Sequence, residues 1–128
     1  LLLVFFVSLA MNSQEFKFDL ETIDYGKINK GAAGERIFIF TNIGDAPIII
    51  QNVQSSCGCT IPEKPEKPIM PGEKGEIKVS YDTKRVGGFS KQITIFSNAK
   101  TARKTLKIKG YVRNAVLLEK EKSMLSNN

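Results

Sequence analysis

Ile77-Lys78-Val79-Ser80-Tyr81 alternates apolar and polar side chains without a break. Successive residues of an extended strand face opposite sides, so a period of two puts Ile77, Val79 and Tyr81 on one face and Lys78 and Ser80 on the other. The pattern recurs toward the C-terminus. Val86-Gly87-Gly88 turns into Phe89, and Ile93 and Ile95 then alternate with Gln92 and Thr94. Leu106 and Ile108 alternate with Lys107 and Lys109, and Val112 closes the run. Toward the N-terminus, residues 54–73 read as a long loop holding Cys57-Gly58-Cys59 and four prolines. Before it, Pro47 opens a strand that runs to Val53, where its missing N–H costs least. Asn42-Ile43-Gly44-Asp45 is a turn by residue type. Arg36-Ile37-Phe38-Ile39-Phe40 is apolar on both faces, as expected of a central strand covered on both sides. Ile23, Tyr25 and Ile28 form one earlier strand, interrupted at Gly26, and Phe16, Phe18 and Leu20 another.

About seven short strands with no convincing helix predict an all-β sandwich. Its core should contain Phe16, Phe18, Ile37, Ile39, Ile49, Val79, Tyr81, Ile93, Ile95, Leu106 and Ile108. Gly31, Gly34, Gly72, Gly75, Gly87 and Gly88 lie between strands and read as turn residues. The length of 128 residues fits one domain, and 41% hydrophobic with 25% charged residues is a globular composition. We assign the sandwich to residues 11–113 and a frayed tail to residues 114–128.

Residues 1–10, LLLVFFVSLA, carry no charge. Ten residues are too few to span a bilayer, which takes ~20. They suit the apolar part of a secretory signal, cleaved after Ala10, with the chain beginning inside that signal. The expected location is therefore periplasmic or secreted, with no membrane span.

Several families of residues resemble a known pattern when taken together. They are Phe40-Thr41-Asn42-Ile43-Gly44-Asp45-Ala46-Pro47-Ile48-Ile49-Ile50, Ser56-Cys57-Gly58-Cys59-Thr60, Pro71-Gly72-Glu73-Lys74-Gly75-Glu76-Ile77, Tyr81-Asp82-Thr83 and Gly88-Phe89-Ser90-Lys91-Gln92-Ile93. The set resembles the bacterial exported family called domain of unknown function 1573, over roughly residues 16–112. That family is similar to Hydin-type Ig-like, major sperm protein and PapD-like domains. The resemblance implies an Ig-like β-sandwich and an exported protein, and it brings no catalytic residue.

Composition removes several chemistries. There is no His, so Ser-His-Asp and Cys-His catalysis and imidazole-ligated zinc are excluded. No P-loop or dinucleotide motif is present, and none of the acidic residues sits in a catalytic pattern. We expect a protein that is not an enzyme and needs no cofactor. Cys57 and Cys59 are the sharpest local signal. Side chains two apart on a strand share a face, with Cα atoms ~6.5–7 Å apart. That is the upper limit for a disulfide, and a kink at Gly58 would shorten it. Two free thiolates on one face would instead suit Cu(I). Bridged, free and metal-bound states all remain open at this point, as does passive packing of both sulfurs.

Pro62, Pro65 and Pro68 recur at the three-residue period of polyproline II, read as a stiff solvated loop. Charge is uneven. Residues 11–82 hold 8 basic and 11 acidic side chains, whereas residues 83–113 hold 9 basic and none acidic. Arg103, Lys104, Lys107 and Lys109 thus form a basic ribbon. It reads either as an anion-binding face or, more simply, as lysines guarding an edge strand against unwanted pairing. Nucleic acid is not expected, since no binding motif interleaves aromatics with the basic residues. The function expected is that of a non-catalytic interaction or structural module of the cell envelope, meeting an envelope protein or an anionic polymer. The alternative is a thiol-based redox or Cu(I) protein using Cys57 and Cys59. A chaperone role by analogy with PapD-like sandwiches ranks behind both.

Overall fold

A computed structural model describes residues 15–114 and Met124. The apolar run at residues 1–10 and the tail beyond Asn114, Met124 excepted, lie outside the described residues. Eight strands follow in order: β1 (Phe16–Phe18), β2 (Thr22–Asn29), β3 (Glu35–Asn42), β4 (Ile50–Ser55), β5 (Thr60–Glu63), β6 (Lys74–Tyr81), β7 (Gly87–Ser97) and β8 (Arg103–Arg113). They form two four-stranded sheets, β1-β3-β6-β5 and β2-β8-β7-β4. The long β7–β8 hairpin organises the second sheet, with Ile93 opposite Leu106. β2 joins it in parallel to β8, pairing Ile23 with Ile108.

The inner faces meet as the alternation requires. Ile77, Val79, Ile93, Ile95, Leu106, Ile108 and Val112 are fully buried. Two aromatic groups brace the ends of this core. Phe16, Phe18 and Phe40 lie with ring centroids 5.2 to 5.9 Å apart. Tyr81 stacks on Phe89 at 3.8 Å, and Tyr25 meets Phe89 edge-on at 5.2 Å. Such pairs add to stability beyond the apolar area they bury.

Three expected core residues are on the other side. Ile37, Ile39 and Ile49 are 40%, 37% and 48% exposed, and Phe38, Phe40, Ile48 and Ile50 fill the interior instead. A run apolar on both faces does not reveal its phase, and here the larger rings of Phe38 and Phe40 take the inside. β3 is central in its sheet, as expected, but only one of its faces is covered.

The loop expected at residues 54–73 contains an eighth strand, β5, paired with β6. Pro62 belongs to it, so the three period-three prolines do not form one element. The strand expected from Pro47 begins at Ile50, with Ile48 bridging to Ile69 instead. Gly75, Gly87 and Gly88 are strand residues and not turn residues, and a Cβ at Gly75 would run into the Phe40 ring. Gly26 has φ 66°, a conformation that tolerates glycine best, and it sits where the β2–β8 register shifts between Asp24 and Lys27. No helix among the described residues is long and apolar enough to cross a membrane.

Candidate functional site

β8 lies between β2 and β7, so it is not an edge strand. Its lysines therefore do not guard an edge, and the simpler reading of the basic ribbon is overturned. Alternation along β8 buries Leu106, Ile108 and Val112 and leaves Arg103, Lys107, Lys109 and Tyr111 exposed. Lys104 has the opposite phase. It is in register with Ile95 and ion-pairs with Glu21. The expected quartet therefore splits, with three members on the outer face and Lys104 engaged elsewhere.

Neighbouring strands enlarge that face. Lys109 pairs with Asp24 on β2 and Ser90 on β7, and Tyr111 with Lys27 and Gly88. Together with Lys107 they line a shallow open depression of about 640 Å³. Three cations of this depression face one carboxylate, Asp24, whose Oδ1 already accepts the Gly26 N–H at 2.8 Å. Tyr111 is half exposed beside them. Arg103, farther along, places its guanidinium 5.1 Å from the Phe96 ring centroid. Lys27 could not be found from sequence, because parallel pairing of β2 with β8 joins segments some eighty residues apart, whereas Tyr111 continues the alternation of Lys107 and Lys109 and was open to the same period-two reading.

Cys57 and Cys59 form a disulfide with their Cα atoms 5.2 Å apart. The turn that brings them together is held by Ser55. Its Oγ donates to the Cys57 carbonyl at 2.9 Å and accepts the Cys57 N–H at 3.1 Å. Gly58 does not take a positive φ. The Thr60 N–H donates to the Cys57 carbonyl at 3.2 Å, and the Asp82 N–H to the Cys59 carbonyl at 2.9 Å. Cys59 is buried in the core, whereas Cys57 is partly exposed. The Cys57 sulfur accepts two N–H groups, from Cys59 at 3.2 Å and from Arg85 Nη1 at 3.5 Å. Arg85 also lies near Tyr81, whose hydroxyl burial holds above its usual ionisation range, with Arg85 opposing that shift. Arg85 counted in the sequence only as one basic residue among nine; nothing local linked it to a cysteine 28 positions away. As a disulfide, the pair has no thiolate to offer Cu(I). Among the described residues no three His, Cys, Asp or Glu side chains converge as a metal site.

The family described as "Protein of unknown function (DUF1573)" matches residues 16–112. The chain belongs to the DUF1573 family. No curated protein matches it. The DUF1573 domain is similar in structure to a protein of unknown function from Porphyromonas gingivalis W83, with a TM-score of 0.69 and 16% identity over 84% of this chain. It spans about half of that protein, 51%. It is also similar to the ASH/PapD-like domain 7 of human CEP192, with a TM-score of 0.63 and 9% identity, covering 80% of this chain and 88% of that one. A third likeness is to a chain of the CsuC-CsuE chaperone–tip adhesion subunit complex of Acinetobacter baumannii, with a TM-score of 0.55 and 14% identity, covering 77% and 57%. At these identities the likenesses show the fold, an Ig-like PapD-type sandwich, and nothing about activity.

Proposed function

We propose that this DUF1573 domain is a non-catalytic binding module of the bacterial cell envelope that engages an anionic polymer through the outer face of β2, β8 and β7. One observation carries the reading: Lys27 of β2 and Lys107 and Lys109 of β8 line one solvent-facing depression with Tyr111, and β8 is an interior strand, where edge protection gives its two lysines no purpose. Like charges at close spacing repel, and an anionic ligand relieves that repulsion. The envelope location rests on residues 1–10 and is tested by cell fractionation.

The binding test is retention of the full chain on an immobilised polyanion. Lys107→Gln with Lys109→Gln should weaken retention about fivefold, roughly 1 kcal/mol for two exposed contacts. Lys84→Gln with Lys100→Gln removes the same net charge away from the depression and should leave most of the retention. Equal losses in the two double variants would show that net charge alone is at work and would sink the proposal.

The second reading, thiol chemistry at Cys57 and Cys59, is favoured by the two N–H groups directed at one sulfur. It leads to a separate inference.

A further inference from the structure

We infer that the Cys57–Cys59 disulfide is an exchange site for dithiols of proteins or peptides, with Cys57 the sulfur that changes partners and Arg85 the residue that holds its thiolate. The inference does not depend on the basic face. Three observations carry it. Burial differs between the sulfurs: Cys59 is 9% exposed and belongs to the core, whereas Cys57 is partly exposed. Donors also differ. Cys57 Sγ is approached by the Cys59 N–H at 3.2 Å and by Arg85 Nη1 at 3.5 Å. Among the described residues Cys59 Sγ has only the Thr60 hydroxyl, at 3.8 Å. N–H groups aimed at sulfur are of small worth to a neutral disulfide, but they stabilise an anion there. Finally, the loop has anchors besides the bridge, because Ser55 and the Thr60 and Asp82 N–H groups hydrogen-bond the turn.

The exchange balances as follows. An incoming thiolate attacks Cys57 Sγ, the exposed sulfur, and forms a mixed disulfide. The Cys57–Cys59 bond breaks, and its electron pair passes to Cys59 Sγ, which takes up a proton from solvent. The second thiolate of the same dithiol then attacks its own bridged sulfur. The dithiol leaves as a disulfide, and Cys57 leaves as a thiolate facing Arg85 and the Cys59 N–H. Two electrons pass from the dithiol to this protein, and the reverse sequence reduces a bound disulfide.

The test uses the full chain. Protein reduced with dithiothreitol is pulsed with iodoacetamide at pH 7, and the labelled cysteine is identified by fragment mass analysis. Cys57 should be labelled about tenfold ahead of Cys59, as a charge-stabilised exposed thiolate reacts ahead of a buried thiol. Arg85→Gln should shift the equilibrium with glutathione about fivefold toward the disulfide, the scale of one exposed charge contact. Arg85→Lys should restore most of that shift, and Lys84→Gln should leave it unchanged. Equal labelling of the two cysteines overturns the inference, and so does an Arg85→Gln protein that equilibrates like the unaltered chain. Should Arg85→Gln fail to fold, the labelling ratio in the unaltered sequence still decides.

Discussion

Asn42 shows how completely one buried polar side chain is satisfied in this domain. Asn42 is fully buried at the end of β3, and each part of its side chain has a partner. Nδ2 donates to the Ala46 carbonyl at 2.8 Å and the Ile69 carbonyl at 2.9 Å, and Oδ1 accepts the Gly44 N–H at 2.9 Å. One amide thus ties three parts of the turn and the following loop together. Asn42→Ala would strand those groups and should cost about 3 kcal/mol in urea unfolding. Tyr25 supplies a pH-dependent counterpart. Its hydroxyl donates to the Gly34 carbonyl at 2.7 Å, and the Arg36 guanidinium lies 4.1 Å from its ring centroid. Burial raises its ionisation above the usual 10.0, with Arg36 opposing. In the unfolded chain it ionises near pH 10, while in the fold it stays neutral to higher pH. Its contribution is therefore fully present below pH 10 and is lost as pH rises through the folded value. Tyr25→Phe should lose about 1 kcal/mol at pH 7 for want of the hydrogen bond. That deficit should shrink in urea unfolding at pH 11, and a deficit equal at both pH values would contradict this account.

At the level of elements, protection of sheet edges is placed differently from where the lysines suggest. β5 is an edge strand. The Asp82 N–H donates to Cys59, which sets the antiparallel alternation and turns the Pro62 nitrogen away from β6. The Thr60 N–H, facing the same way, is taken by the Cys57 carbonyl. This edge offers no free donor along its centre, so another strand finds little to pair with. Pro62→Val would restore an N–H at the exposed edge. It should leave monomer stability nearly unchanged and produce concentration-dependent association in size-exclusion chromatography; a strictly monomeric variant would count against the edge account. Which elements were legible follows from the same physics. β6, β7 and β8 alternate cleanly, so both strand and inner face were readable. β3 was readable as a strand but not in phase, because Ile37 and Ile39 are as greasy as Phe38 and Phe40. β5 was hidden, since a four-residue edge strand with a proline and an exposed Glu63 resembles a loop. The Cys57–Cys59 pair stood out by type and spacing, but the Arg85 contact and the β2 contribution to the basic face depend on long-range pairing that no local pattern encodes.

For the whole molecule, the question is what the disulfide adds to two sheets already joined by a continuous core. In the chain-entropy account, stabilisation grows with the loop that a bridge closes. Cys57 and Cys59 are two positions apart, so the bridge restrains the unfolded chain by on the order of 1–2 kcal/mol, against about 3 for a fifteen-residue loop. The loop ends are also anchored independently. Ser56 N–H donates to the Gln92 carbonyl at 3.0 Å on β7, and the Asp82 N–H holds Cys59 against the end of β6. β4 and β5 thus stay in separate sheets whether or not the sulfurs are joined. Reduction with dithiothreitol should leave the far-ultraviolet circular dichroism unchanged and lower the unfolding free energy by less than about 2 kcal/mol, with a single cooperative urea transition. Loss of that transition on reduction would mean that the bridge is a staple. A fold that survives reduction is also the condition under which the bridge can open and close in exchange, because the dithiol form must keep Arg85 beside Cys57 to stabilise the thiolate it releases.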